Sequence, residues 1–383
     1  MQKIYLLFGF LILLGCKNNS QKTIENAEII SDISTTSLNE IKYAEGFKIE
    51  QHLGYKTITL TNAWPGAEET FTYALVEKGT DLTNPEDFNA VVQVPVKSIV
   101  VTSTTHIPSL EMLDVHTSLV GFPNTQYISS ETTRKRIDNN EVIELGRNED
   151  INTELLIDLS PDVVITFAVE GGNKTITTIQ KTGIPVMYNS DWTETSPLGK
   201  AEWIKFFGAL FNKETTANQL FEDIETAYFE ARDLAKTAEK SPTVLSGAMY
   251  KDVWYLPQGK SWAAQFIEDA NASYLWKDSQ GTGSLSLHLE AVLEKGQQAE
   301  FWIGPGQFTS LQQMKDTHTV YEQFDAYASG EVYSFTTKKG ATGGVLYYEL
   351  APNRPDLVLK DMIKILHPHL LPDYKLHFFS VLE

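Results

Sequence analysis

Two α/β lobes, each built on a parallel sheet and joined by one long rigid helix, form the fold class this sequence predicts. A small β extension precedes them. Three observations carry that prediction. From Lys97 onward short apolar strands alternate with helical patterns, which calls for parallel sheets flanked by helices. Between Leu198 and Lys240 no strong breaker occurs, and Trp203, Ile204, Phe207, Leu210, Leu220, Phe221 and Ile224 recur at helical spacing, continued by Tyr228 and Leu234. Finally, one helix-to-strand unit occurs twice, as "NTELLIDLSPDVVITF" (152–167) and "HLEAVLEKGQQAEFWIGP" (288–305).

Taken in chain order, the segment from Tyr43 to Val96 reads as a small antiparallel unit. "YKTITLTNAW" alternates, and "TFTYALVEKG" and "VVQVP" follow it. The first lobe then unfolds as the strand "SIVVTS", the helix "IPSLEMLD", the strand "TSLVGF" and a basic helix around "SETTRKRID". After these come the helix bearing Glu154, the strand "DVVITF", the helix "NKTITTIQKTG" and the strand "IPVMYN". Val163, Val164, Ile165 and Phe167 form the continuous apolar run that a strand buried on both faces requires. The stretch 198–240 is read as one long helix with a break near Asn212. After Ser241-Pro242 come "TVLSGAMY", "VWYLP", "SWAAQFIEDA", "LHLEAVLEK", "AEFWIGP" and "EVYSF". The helix "PDLVLKDMIKIL" closes the chain, with Pro355 suited to its first position. The divisions are therefore 41–96 for the β extension, 97–197 and 241–383 for the lobes, and 198–240 for the connection.

With 383 residues, 42% of them apolar, the chain can bury real cores, and 21% charged with 11% aromatic residues describes a globular protein. A net charge of −19 argues against a nucleic-acid partner, which needs clustered Lys and Arg, and favours a soluble monomer. The start, "MQKIYLLFGFLILLG", places Lys3 before an apolar run of about 11 residues, too short to span a bilayer and suited to a signal peptide. The sole cysteine, Cys16, follows directly. No small-x-small cleavage site precedes it; Leu13-Leu14-Gly15-Cys16 instead resembles the bacterial lipobox. That resemblance implies removal of residues 1–15 and lipid attachment at Cys16, leaving the membrane contact to the lipid anchor alone. Residues 16–40, polar and poor in aromatics, read as a flexible tether from lipid to folded body.

In the repeated unit Glu154 matches Glu290 and Asp162 matches Glu300. Each first acid stands two residues after a cap position, Asn152 or His288, with Ser286 as an alternative cap in the second copy. An acid in a first helical turn commonly does no more than complement the helix dipole, for roughly 0.3–1 kcal/mol. Two acids at matching places in two lobes instead imply a pair of charges set about a cleft.

From about Lys97 to Pro368 the chain resembles the periplasmic substrate-binding proteins of ABC importers for ferric siderophores, haem and cobalamin. "NTELLIDLSPDVVI", "GIPVMYNSDW", "PLGKAEWIKFFGALFNKE", "LHLEAVL…AEFWI" and "APNRPDLVLKDMIKILHP" carry the resemblance. It implies two Rossmann-like lobes on a rigid helix, hence little closure on binding. It also implies a permease with its ATPase as partner, with Glu154 and Glu290 docking onto permease arginines, and a location in the cell envelope facing the periplasm.

Ligands of open α/β sheets bind beyond the carboxyl ends of strands. The loops there offer His106, Phe122, Glu170, Trp192, Trp254 and Tyr255, with Trp262 opening the next helix. The stretch "TTKKGATGGVLYYELAPNR" (336–354) adds Lys338, Lys339, Tyr347, Tyr348 and Arg354. Aromatics with a polar handle suit a large flat or amide-rich ligand, and the cations suit an anionic one. A ferric siderophore is the expected chelate, with haem or cobalamin as alternatives of the same class. No cofactor is implied. An α/β enzyme is the rival class, but no G-x-S-x-G elbow, G-x-x-x-x-G-K-[ST] loop or H-E-x-x-H pair occurs. His367, His369 and His377 lack supporting Cys or acid ligands, so no direct metal site is expected.

Overall fold

The computed structural model describes residues 40–171 and 174–383; the leader, Cys16 and nearly all of the tether lie outside them. Residues 47–94 form a four-stranded sheet from Phe47–His52, Tyr55–Leu60, Phe71–Glu77 and Ala90–Val94. Its first two pairings are antiparallel as expected, but the last strand runs parallel to its neighbour, because a long loop returns the chain to the starting end.

In the first lobe five parallel strands lie in the order Val186–Tyr188, Val163–Thr166, Ile99–Val101, Leu119–Phe122, Ile143–Glu144. The second lobe places Ser273–Tyr274, Thr243–Ser246, Phe301–Ile303 and Val332–Ser334 side by side in parallel, with Ser380–Val381 added antiparallel at the edge. Four strands of each sheet correspond: 163–166 lies between 99–101 and 186–188 as 301–303 lies between 243–246 and 332–334, with 119–122 and 273–274 next beyond, while 143–144 and 380–381 extend opposite edges.

The repeat explains its own second acid. Asp162 accepts from the backbone N–H of Lys97 (2.7 Å) and Ser98 (2.9 Å), at the start of the neighbouring strand. Glu300 does the same for Thr243 (2.8 Å) in the other lobe. These acids tie strand starts together and are structural.

"TVLSGAMY" forms two strands in different sheets. At Gly247, φ is +77°, and an added Cβ would stand 1.9 Å from the Tyr255 carbonyl oxygen, so only glycine allows the turn. Ala248–Tyr250, Val253–Pro257 and Ser284–Leu287 then make a separate antiparallel sheet.

The connection is three helices, not one: Pro197–Glu202, Ile204–Leu210 and Glu214–Ala235. The expected break at Asn212 is present. Asn212 sits at φ 53°, a conformation Asn tolerates better than most residues, and its amide is gripped by Lys56 (2.7 Å) and Glu77 (2.9 Å) of the four-stranded sheet. A second break falls at Trp203. The last helix, 22 residues and about 33 Å long, is the spine. One face repeats as Ala217, Phe221, Ile224, Tyr228, Ala231 and Ala235, all buried. Its first half packs into the core of the first lobe and its second half into the core of the second.

Ahead of the sheet, residues 42–46 form a strap held through its main chain. Glu202 accepts from the N–H groups of Lys42, Tyr43 and Ala44, and Glu194 from those of Glu45 and Gly46, all at 2.7–3.1 Å. Lys205 pairs with Glu202 (2.7 Å), and Tyr43 donates to Glu225 on the spine (2.6 Å).

Candidate functional site

Hydroxyl and amide side chains gather where the strand order of the first lobe's parallel sheet reverses, between strands 99–101 and 163–166. Thr102 donates to Thr166 (3.2 Å), and Asn148, on the turn of a short hairpin, donates to the Thr102 carbonyl (3.1 Å). Thr102, Ser103, Thr104, Phe122, Asn124, Tyr127, Asn148 and Phe167 wall a hollow of about 360 Å³. Its opposite wall belongs to the second lobe: Gly343, Gly344, Val345 and Tyr348. The hollow therefore straddles the seam.

Further hollows continue from it. Asn148 and Phe167 are shared with an open one of about 750 Å³ that Glu170 lines. Tyr348 is shared with an aromatic slot of about 240 Å³ at the carboxyl ends of the second sheet, lined by Trp262, Phe335, Tyr347 and Phe379 among others. Beyond Gly247 and Gly304 lies another of about 360 Å³, and Tyr255 borders it and a last one of about 370 Å³. Among the described residues no charged side chain lines the seam hollow or the second-lobe hollows, whereas Glu149, Asp150, Glu170 and Lys174 line the open one.

Of the residues expected to meet a ligand, Phe122, Glu170, Tyr255, Trp262, Tyr347 and Tyr348 line these hollows. Trp254 does not: its strand turns the indole inward, fully buried and stacked on Trp302 at 5.3 Å. His106 is also fully buried, beside Phe207, and burial lowers its pKa and favours the neutral ring. Trp192 is 38% exposed on the turn Asp191–Thr193, apart from the hollows described. The cations are engaged elsewhere, since Lys338 donates to the Leu376 carbonyl (2.5 Å) and Arg354 forms a bidentate pair with buried Asp356 (2.9 and 2.8 Å). Lys339 is exposed, away from the walls. His367 is buried against the Ala270 carbonyl (2.9 Å), and among the described residues no group of three or more His, Cys, Asp or Glu is placed to hold a metal ion.

The residues that sequence reading passed over are small or amidic. "TSTT" (102–105) at a strand end was a usable signal for hydroxyls at the switch point. Asn148 carried none, because a two-residue hairpin turn leaves no periodicity.

Glu154 and Glu290 both stand exposed in first helical turns, on Thr153–Leu159 and Leu289–Gly296. Asn152 caps the first helix by accepting from Leu155 N–H (3.1 Å). His288 occupies the second cap position without a side-chain cap, and Ser286 is in a strand paired with Tyr255 and caps nothing. Beside Glu154, Leu155 and Ile157 are 39% and 49% exposed, an apolar pair next to a charge of the kind contact surfaces present.

The family model described as periplasmic binding protein matches residues 99–338. An uncharacterised lipoprotein of Methanocaldococcus jannaschii is 28% identical over 298 residues, covering 76% of this chain and 69% of its own length. Among solved structures, a possible iron-binding (periplasmic solute-binding) protein of Staphylococcus epidermidis superposes with a TM-score of 0.55 at 15% identity, over 71% of this chain and 99% of its own. A periplasmic haem-binding protein of Vibrio cholerae gives 0.53 at 16%, over 69% and 99%. At such identities the fold is what is shared.

Proposed function

The chain belongs to the periplasmic binding protein family, and from that premise we propose that it captures a metal chelate between its lobes and hands it to an ABC permease with its ATPase. The observation that carries this reading is the run of adjoining uncharged, aromatic and hydroxyl-lined hollows from the seam into the second lobe, with the charged groups Glu149, Asp150, Glu170 and Lys174 confined to the open hollow beside it in the first lobe. A pocket of this chemistry suits a large, amide- or ring-rich ligand held by stacking and neutral hydrogen bonds. The ligand class is therefore a chelate of low net charge, a ferric siderophore or a corrinoid. Haem, whose propionates want cationic partners, is the weaker fit, because Lys338 and Arg354 are occupied and no cation lines the seam or second-lobe hollows, Lys174 lying in the open hollow beside them. The iron and haem descriptions of the structural neighbours support the chelate class.

Titrating intrinsic fluorescence with ferric siderophores, haem and cobalamin side by side is expected to give saturable quenching by a siderophore or cobalamin. Trp262 borders two of the hollows, so Trp262→Phe should remove most of that quenching. No saturable response to any of the three would overturn the reading.

Anchoring through lipid on Cys16 completes the proposal, supported by the lipobox-like residues 13–16 and by the lipoprotein name of the relative. Cys16→Ser is expected to shift the protein from the membrane to the soluble fraction on cell fractionation. Retention in the membrane would defeat the anchor.

A further inference from the structure

One buried carboxylate closes the seam. Glu349, on helix Leu346–Leu350 of the second lobe, is 2% exposed. It accepts from the backbone N–H groups of Ser129 (2.5 Å) and Ser130 (2.9 Å) in the first lobe. Neutral bonds flank it. Asn353 donates to the Thr105 carbonyl (2.8 Å) and accepts from Ser109 (2.7 Å), while Thr342 donates to the Gln126 carbonyl (2.8 Å). Gly344 lets the two lobes touch, since a Cβ there would stand 2.1 Å from the Tyr127 carbonyl oxygen. Tyr127 on one side, and Gly343, Gly344, Val345 and Tyr348 on the other, are walls of the seam hollow. Glu349 thus sits next in the chain to one wall and grips residues adjoining the other.

We propose that Glu349 is a positioning residue for cargo capture, an interlobe clasp whose carboxyl group sets how firmly the lobes close over the seam hollow. Its meaning for cargo rests on the function proposed above.

Few charged groups face it. Helix His106–Met112 brings Glu111, which accepts from Ser130 (2.5 Å) and Thr133 (2.6 Å) hydroxyls, and His106, whose ring is buried against Phe207. Helix Glu131–Asp138 brings Glu131, which is exposed, and Arg134, which is turned to the Thr125 carbonyl (2.6 Å). On its own lobe Arg354 and Asp356 satisfy one another. Burial, reinforced by Glu111, pushes the Glu349 carboxyl up to about 7 against the pull of the two amides. A small parting at the seam, within the limited motion a rigid connection allows, lets water reach the group, which then titrates at about 4.3. The closed form accordingly binds the proton more tightly. Protonation favours closure, and closure weakens as pH rises through 7; the closing constant falls about tenfold between pH 6 and pH 8.

The test needs no ligand. Dyes on Lys135→Cys and Asp252→Cys, in a Cys16→Ser background, report interlobe distance by energy transfer; both positions are exposed, one on each lobe. The open population of the ligand-free chain is expected to rise between pH 6 and pH 8, and Glu349→Gln, which keeps the shape and cannot ionise, should abolish that slope. Glu111→Gln removes the neighbouring charge and should move the midpoint to lower pH, which keeps the question decidable if Glu349→Gln misfolds. A flat profile in the parent, a slope surviving in Glu349→Gln, or an unmoved midpoint in Glu111→Gln overturns the clasp. Because no chelate is present, failure of the chelate reading and failure of the clasp are told apart.

Discussion

Reversing both exposed acids, Glu154→Lys with Glu290→Lys, is expected to reduce uptake of the proposed chelate more than a hundredfold while leaving its binding unchanged. The two side chains are exposed at the starts of matching helices and line none of the hollows, so their replacement leaves the cargo walls intact. If they meet permease arginines, each reversal converts an attraction into a like-charge contact, and such contacts cost several kcal/mol. At about 1.4 kcal/mol per tenfold, two of them exceed a hundredfold. Each single reversal should produce a partial loss. Uptake by whole cells and binding to purified protein are the paired measurements, and normal uptake by the double variant would refute the docking role. Raising the ionic strength should weaken docking of the parent in permease-containing vesicles, as for any pairing of exposed charges.

Truncating the spine is the second large effect. Phe221 and Tyr228 are both essentially buried, one in each core, and Tyr228 also donates to Asp269 (2.6 Å). Phe221→Ala and Tyr228→Ala are each expected to lower unfolding free energy by about 3–5 kcal/mol. Both changes should melt the whole molecule in a single transition, because one helix supplies both cores. Calorimetry in which Phe221→Ala lowers only an early transition, leaving a second lobe melting at the parent temperature, would contradict this account.

Much of the fold was legible because parallel sheets demand apolar strands at regular intervals, and "SIVVTS", "DVVITF", "IPVMYN" and "AEFWIGP" supply them. The repeated acids were legible as a pattern, yet only the structure separates their roles: Asp162 and Glu300 tie strand starts, while Glu154 and Glu290 are free at the surface. What escaped reading is whatever depends on approach between distant segments. Trp254 looked like a strand-end aromatic, but its strand joined a side sheet and turned the ring inward. Lys338 and Arg354 looked like anion ligands, and their partners, Leu376 and Asp356, satisfied them instead. Glu349 gave no signal at all, since its donors are main-chain amides more than two hundred residues away.

The strap at 42–46 has a mechanical consequence. Glu202 and Glu194 grip its main-chain amide hydrogens, and the Tyr43 hydroxyl adds a bond to Glu225 on the spine. A pull transmitted along the chain into residue 40 meets Lys205 on the Glu40 carbonyl (2.7 Å) and then those two carboxylates before it can reach the strand Phe47–His52. The load then passes into the connecting helices and is shared between both lobes, instead of unzipping the four-stranded sheet one rung at a time.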